Sequence, residues 1–392
     1  MKICRTATVP FMLHNHLRLQ ITATIAAGHD VTLVCSNGPE VAHLRAIPGV
    51  KIYLLEIARV ISPVRDCIAL FRLVQYFLRE EFDVVHSTTP KGGLISMLAS
   101  WLTRVPVRMH TFTGQPWIEL HGIKRVVVRL GDFVTARLST MNYTDSQSQL
   151  DFLINNGIAD GCKLKILGSG SLAGVDLTRF DANRFAPQKL LLRHSLQIAS
   201  DTKVIVFVGR LTRDKGICEL VESFVQLRTE GHLCFLLLVG PLENDRDSIP
   251  TVTLNQIKNR ADIYWAGYSY EPEKYLAISD ILCLPSYREG FGTVILEAAA
   301  MGIPAVGTDI IGIQDAIVNG YTGILVAVKN EESLARGIKK LLDTDGLCQT
   351  LGSNAFHRVV EEFDANKVNL TVIEEYEIAW KSANRRNAKK II

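Results

Sequence analysis

The stretch Pro285-Ser-Tyr-Arg-Glu-Gly-Phe-Gly-Thr-Val-Ile-Leu-Glu-Ala-Ala-Ala-Met-Gly-Ile-Pro304 decides how this chain is read. Just before it, Asp280-Ile-Leu-Cys-Leu284 sets β-branched and aliphatic residues together ahead of a turn-forming cluster, which predicts a short buried strand. A loop then carries Arg288 and Glu289, and Gly290 and Gly292 flank Phe291, so the backbone can approach a ligand closely. Thr293 is the expected N-cap of a helix from Val294 to Met301, which Gly302 and Pro304 stop. Strand, glycine-bearing loop and helix N-terminus make a place where free N–H groups and the positive end of a helix dipole hold phosphate oxygens. Glu289 and Glu297 do not suit phosphate; they suit hydroxyl groups. A ligand with both phosphate and polyol parts meets both demands, and a nucleotide sugar is such a ligand.

Upstream, Lys203-Val-Ile-Val-Phe-Val-Gly209 reads as a buried strand followed by Arg210-Leu-Thr-Arg-Asp-Lys215-Gly216 and a helix from Ile217. Two cations at a strand's carboxyl end can neutralise a diphosphate without a divalent metal, the alternative being two solvated loop charges. Phe235 to Gly240 is a further strand, with Pro241 and Glu243 after it, and Ile263 to Gly267 another. Tyr268 follows that strand, which resembles the strand of nucleotide-sugar-using enzymes whose following turn touches the nucleotide base, so Tyr268 either stacks there or belongs to the core.

The N-terminal half alternates strand and helix in the same way: Lys2 to Cys4, a helix from His14 to Ala27, then Asp30 to Cys35. Asp66 to Glu81 is an amphipathic helix with Arg65, Arg72 and Arg79 at sevenfold spacing, the pattern of a wet face. Phe82-Asp-Val-Val-His86 is a strand, and Thr88-Thr-Pro-Lys-Gly-Gly93 after it reads as either a ligand-facing loop or a structural turn. Residues 101–137 hold six basic and two acidic residues, a net of +4, interleaved with Trp101, Trp117, Ile118 and Val126-Val-Val128. Such a stretch suits an anionic membrane surface or a packed helix with a wet basic face, and no nucleic-acid motif accompanies it.

Composition agrees with two globular domains: 392 residues, 47% hydrophobic, net charge +3. The eight cysteines show no C-x-x-C spacing, which favours buried free thiols over zinc or disulfides. Neither a signal-peptide core nor an apolar run of about 18 residues is present, so a cytoplasmic or peripheral protein is expected.

The segments Arg288-Glu-Gly-Phe-Gly-Thr-Val-Ile-Leu-Glu-Ala-Ala-Ala-Met-Gly-Ile-Pro-Ala-Val306 and Gly209-Arg-Leu-Thr-Arg-Asp-Lys-Gly216 closely resemble the signatures of the retaining glycosyltransferases of family four. That family's GT-B architecture consists of two Rossmann-like α/β domains facing a cleft, with a last helix crossing back to the first. The resemblance divides the chain into an acceptor-binding domain (1–175), a nucleotide-sugar-binding domain (176–365) and a crossing helix with a basic tail (366–392), the end Arg385 to Lys390 reading as disordered. Gly168 to Asp176, ending in Gly-Val-Asp, resembles the interdomain crossing and lacks the dinucleotide spacing G-x-G-x-x-G.

By the same resemblance His110 lies beside donor sugar and acceptor, Glu297 holds the ribose, and Glu289 the sugar hydroxyls. The backbone of Gly292, Thr293 and Val294 holds the phosphates, Gly290, Phe291 and Tyr268 are further donor-binding residues, and Arg210 and Lys215 stabilise the leaving group. Lys91 and His14 stand on the acceptor side, although the turn Ala7 to His14 lacks the family's paired glycines and His14 and Asn15 suit helix capping equally. The function implied is transfer of a sugar with retention from a nucleoside diphosphate donor, most simply a UDP-sugar. No cofactor or divalent metal is needed, and domain closure excludes water. The implied acceptor is a lipid-linked saccharide of surface-polysaccharide synthesis at the inner face of the cytoplasmic membrane. A sugar-nucleotide epimerase of similar fold, or a nucleotide-sugar-binding protein without turnover, are the alternatives.

Overall fold

The structure, a computed structural model, describes residues 1–58, 61–243 and 247–388. The chain divides into two compact units, Met1–Gly174 with Ala365–Ile392, and Val175–Asp364.

In the first unit, among the described residues, seven strands form one parallel sheet: β1 (Lys2–Thr6), β2 (Asp30–Cys35), β3 (Lys51–Leu54), β4 (Val84–Thr88), β5 (Val107–Phe112), β6 (Met141–Thr144) and β7 (Leu164–Ile166). Their order is β3-β2-β1-β4-β5-β6-β7. Most of these strands are near-continuous apolar or small-residue runs because helices cover both faces. The helices are α1 (Arg18–Ala26), α2 (Val41–Arg45), α3 (Pro63–Glu80), α4 (Pro90–Leu102), α5 (Gly122–Leu138) and α6 (Gln147–Asn155). Alternation along the strands sorts the faces. Ala69, Leu73 and Phe77 of α3 pack with Cys4 and Val85, together with Ile95 and Met97 of α4. Gly131 of α5 lies against Leu94 of α4, so the three helices form one layer.

Among the described residues the second unit holds a six-stranded parallel sheet: β8 (Lys203–Val208), β9 (Cys234–Val239), β10 (Ile263–Gly267), β11 (Ile281–Leu284), β12 (Ala305–Thr308) and β13 (Gly323–Val326), in the order β10-β9-β8-β11-β12-β13. Its helices are α7 (Ala186–Ser195), α8 (Ile217–Thr229), α9 (Thr251–Asn259), α10 (Pro272–Leu276), α11 (Thr293–Ala300), α12 (Ile313–Ala316), α13 (Glu331–Asp343) and α14 (Leu347–Glu362). The order reverses between β8 and β11, and ligands of open α/β sheets bind outside the carboxyl ends of the strands at such a switch. The last helix, α15 (Ala365–Ala388), belongs to the first unit, where Val372 and Tyr376 pack on Ile3, Val84, Val107 and Met109, the sheet face opposite to α3.

Four sequence expectations are corrected. The helix predicted from His14 begins earlier as a π-helical turn, Met12–His16, and α1 follows only from Arg18, with neither His14 nor Asn15 capping it. The expected loop Thr88 to Gly93 is instead a strand end and the first turn of α4, which opens at Pro90 after Thr89 at φ 77°. Its glycines serve clearance: a Cβ on Gly93 would stand 2.3 Å from His110 Cε1, and one on Gly92 2.8 Å from Thr89 Oγ1. At α11 the N-cap is Gly292, at φ 81°, and Thr293 is the first helical residue with no side-chain cap. Finally, α15 stays helical through Ala388 where a disordered tail was expected; Lys389 and Lys390 lie outside the described residues. Of the cysteines, Cys4, Cys35, Cys234 and Cys283 are buried free thiols, whereas Cys67 and Cys162 are exposed.

Candidate active site

At the carboxyl ends of β8, β11 and β12 three turns are pressed together by glycines that no other residue could replace without displacement. Gly216 (φ 71°) ends the turn after β8, and a Cβ there would stand 2.1 Å from the Pro285 carbonyl oxygen. Gly312 (φ 90°), after β12, would place one 2.4 Å from the Gly290 carbonyl oxygen. Backbone approach this close, in conformations L-residues avoid, is the reason for glycine at both positions.

Asp214 ties the first two turns: its carbonyl oxygen accepts from the Tyr287 N–H at 2.8 Å, and its carboxylate accepts from the Thr212 hydroxyl. Arg288 Nη2 and Arg210 Nη2 each stand 3.9 Å from the same carboxylate. This tether was not among the sequence-predicted site residues; its signal was an acid two residues beyond Thr212 in the turn that carries both cations.

Lys215 and Glu289 form an ion pair in which both side chains are 16% exposed. The same Glu289 oxygen accepts from Ser286 Oγ at 2.8 Å, and the Ser286 carbonyl accepts from Thr308 Oγ1 at 2.5 Å. Arg210, 45% exposed, donates from Nη1 to Glu243 Oε2 at 2.7 Å. Glu243, read from sequence only as a loop residue, is therefore the partner of a predicted site cation.

Behind the loop, Phe291 is buried against Phe363, with ring centroids 5.4 Å apart, which fixes the course of Gly290 to Gly292. Thr293 and Val294 supply the first turn of α11, whose leading N–H groups have no partner within the helix. One turn on, Glu297 is half-buried, and burial pushes its carboxyl up to about 7 against the opposing charge of Arg179, with Glu273 adding to the rise. Arg179 in turn binds Glu273 Oε2 at 2.9 Å and the Tyr270 carbonyl at 2.8 Å. Tyr268, after β10, meets Tyr270 edge-on at 4.9 Å, so a pair of aromatic rings stands where one was expected.

The sequence-predicted residues of the first unit lie on β5, in the first turn of α4 and in the π-helical turn. His110 lies near the carboxyl end of β5, buried, with Nδ1 2.8 Å from Ser87 Oγ and its ring 4.4 Å from that of Phe112. Burial pushes its imidazole down to about 3, which keeps it neutral at ordinary pH. Lys91 is in the first turn of α4 and pairs with Asp66 at 2.6 Å. His14 lies in the π-helical turn, 2.7 Å from Asn15 Oδ1 and 5.1 Å ring to ring from His43.

In the basic stretch 101–137 two groups are held by the fold rather than presented at the surface. Trp117 is buried and donates from Nε1 to Asp132 Oδ2 at 2.8 Å, while Arg108 is spent on the carbonyls of Leu138 and Val105 at 2.7 and 2.8 Å.

Residues 188–358 match the family described as glycosyl transferases group 1, and residues 13–154 match the glycosyl transferase 4-like domain. The chain is 31% identical over 356 residues to the capsular polysaccharide biosynthesis glycosyltransferase CapM of Staphylococcus aureus, a match covering 89% of this chain and 90% of that protein. It is 24% identical over 351 residues to the UDP-Gal:alpha-D-GlcNAc-diphosphoundecaprenol alpha-1,3-galactosyltransferase of Escherichia coli, 86% of each. Its fold is similar to the crystal structure of a glycosyltransferase from Rickettsia africae, with a TM-score of 0.79 at 22% identity over 97% of this chain and 98% of that one.

Proposed function

The chain belongs to the glycosyl transferases group 1 family and is a glycosyltransferase, and from that premise we propose that it moves a sugar from a UDP-sugar, with retention, onto a lipid-linked saccharide in surface-polysaccharide synthesis. The observation that carries this reading is the meeting of Arg210, Lys215 and the α11 N-terminus at the β8–β11 switch. Two cations and the positive end of a helix dipole suit a diphosphate that gains charge as it leaves. Glu289 and Glu297 then face the hydroxyls of donor sugar and ribose, and Tyr268 with Tyr270 flank the base.

In this mechanism the bond from the sugar's anomeric carbon to the diphosphate oxygen breaks on the face where the acceptor hydroxyl adds. That hydroxyl's proton passes to the departing phosphate oxygen, and Arg210 and Lys215 stabilise the charge remaining there. No side chain forms a covalent intermediate. His110, neutral, contributes on the acceptor side as a hydrogen-bonding group, with Lys91 and His14 as further acceptor-side residues. The E. coli relative named above is a UDP-Gal enzyme acting on a diphosphoundecaprenol saccharide, which supports the donor and acceptor classes, and CapM is named for capsule synthesis, which supports the polysaccharide role. Among the described residues no helix is long and apolar enough to cross a membrane. A lipid-linked acceptor requires contact with the bilayer, and this reading assigns that contact to the basic-apolar stretch 101–137 on the inner face of the cytoplasmic membrane.

The test is donor turnover. Purified protein is given a panel of UDP- and GDP-sugars, and free nucleoside diphosphate is followed with and without a bacterial lipid extract, beside a Glu297→Ala variant. Release that needs both the extract and Glu297 supports the reading. Interconversion of donor sugars without release overturns it.

A further inference from the structure

The outer faces of α3 and α5 both invert the usual order of a surface helix, which turns charged residues of both signs to water. On α3 the exposed positions include Val64, Ile68, Phe71 and Leu78 beside Arg65, Arg72 and Arg79, and no acid of α3 stands among them. Its two acids, Asp66 and Glu80, are half-buried and paired, with Lys91 and Arg79 respectively. On α5 the exposed positions include Ile123, Val126, Val127 and Leu130 beside Lys124 and Arg125, again with no acid; Asp132 is interior. Phe71 is 63% exposed, Val64 73% and Ile123 83%. At the end of α4, which lies between these two helices, Trp101 and Leu102 are exposed as well. Among the described residues no carboxylate forms an ion pair with Arg65, Arg72, Lys124 or Arg125.

An apolar area of this extent on one layer marks an interaction surface, and its sign of charge selects the partner. A second copy of the chain in a two-fold dimer would set the patch against itself, cation against cation. An anionic bilayer offers hydrocarbon for the aliphatic and aromatic side chains and phosphate for the arginines in one plane. We propose that α3 is a second membrane-docking element, apart in sequence from residues 101–137, and that the outer face of the α3–α4–α5 layer lies on an anionic lipid surface. Val64, Ile68, Phe71 and Leu78 enter the headgroup boundary, and Arg65 and Arg72 bind lipid phosphates. The inference rests on the membrane contact assigned above to residues 101–137 and extends it to a helix which that stretch does not contain.

The experiment is flotation of the full chain with phosphatidylcholine vesicles containing or lacking phosphatidylglycerol. It compares wild type, Arg65→Gln/Arg72→Gln, Phe71→Ser and Ile123→Ser/Val126→Ser, with melting temperatures and light scattering to confirm folding and oligomeric state. Loss of the two arginines is expected to weaken binding to anionic vesicles roughly thirtyfold, at about a tenfold change per 1.4 kcal/mol and about 1 kcal/mol for each basic residue. Phe71→Ser is expected to weaken binding to both vesicle types. If the α3 variants float as wild type does while Ile123→Ser/Val126→Ser does not, the role of α3 is refuted and residues 101–137 stand alone. Failure of wild type to bind either vesicle refutes both readings. A dimer that Phe71→Ser disperses, with flotation unchanged, assigns the face to a second copy and overturns the proposal.

Discussion

Lys215 and Glu289, 74 residues apart, close an ion pair between the turn after β8 and the loop after β11, and Ser286 donates to the same carboxylate oxygen. Under the function proposed above, the pair sets a cation toward the leaving diphosphate and a carboxylate toward the sugar. Removing the cation while leaving the carboxylate costs the charge stabilisation that develops as the diphosphate departs. Lys215→Ala is expected to lower kcat for nucleoside diphosphate release by about 10²–10³-fold. Arg210→Ala, at a more exposed position beside Glu243, is expected to cost less, roughly tenfold, because solvent screens it. Single-turnover rates on both variants check the order, and an Arg210 effect larger than that of Lys215 would reverse the assignment of the principal phosphate cation.

The carboxyl of Glu297 supplies a pH test. Burial lifts it to about 7, so at pH 6 it is largely protonated and accepts poorly from ribose hydroxyls. Affinity for UDP is therefore expected to rise with pH up to about 7, by at most tenfold per unit, and then to level. The phosphate's own ionisation titrates nearby, so the reading is the difference between wild type and Glu297→Gln by calorimetry from pH 5.5 to 8.5. Identical profiles in the two proteins would remove Glu297 from the ribose site.

Much of this was legible in the chain because the signals were local. Buried parallel strands must be apolar throughout, so Val204 to Val208 and Ile281 to Leu284 announce themselves, and the turns after them carry their cations and glutamates at short fixed spacing. What was misread depends on contacts distant in sequence. Gly92 and Gly93 look like a loop until His110 and Thr89 are seen to need the space their side chains would occupy. Thr293 has good capping chemistry, yet the left-handed backbone at Gly292 takes the cap position. Composition alone does not tell that Trp117 is buried on Asp132, or that half-buried Arg108 is held by the Leu138 and Val105 carbonyls. Glu243, Asp214 and Arg179 gain meaning only from the partners that the sheet order brings to them.

Two buried acids of the first unit make its stability fall with pH. Burial raises the Asp145 carboxyl to about 8 and that of Asp132 to about 7, the latter partly offset by the Trp117 N–H. Both values lie above the ordinary 3.8, so each group's contribution is complete below about pH 4 and is lost as pH rises through the folded value. Unfolding free energy of wild type is expected to decline between about pH 4 and 8, each group adding a slope of at most about 1.4 kcal/mol per pH unit. Asp145→Asn should flatten that decline, measured by urea unfolding at fixed pH steps. An unchanged slope in Asp145→Asn would mean that the acid ionises freely in the folded chain.

Gly93 and His110 form a packing pair whose coupling can be measured directly. In the first turn of α4 alanine is favoured over glycine by about 1 kcal/mol on backbone grounds. At position 93, however, the added Cβ would stand 2.3 Å from Cε1 and 2.7 Å from Nδ1 of a buried imidazole held by Ser87. Overpacking of this kind costs typically 1–3 kcal/mol, so it outweighs the helix preference, and Gly93→Ala should lower stability and displace His110 together. In a His110→Ala background the obstruction is gone, and the same substitution should become neutral or stabilising by roughly 1 kcal/mol. Urea midpoints of the four proteins give the coupling, and equal losses in both backgrounds would show that something other than His110 excludes a side chain there. If activity in the double variant stays low while stability returns, the imidazole itself is needed on the acceptor side; if activity returns with stability, His110 serves the fold alone.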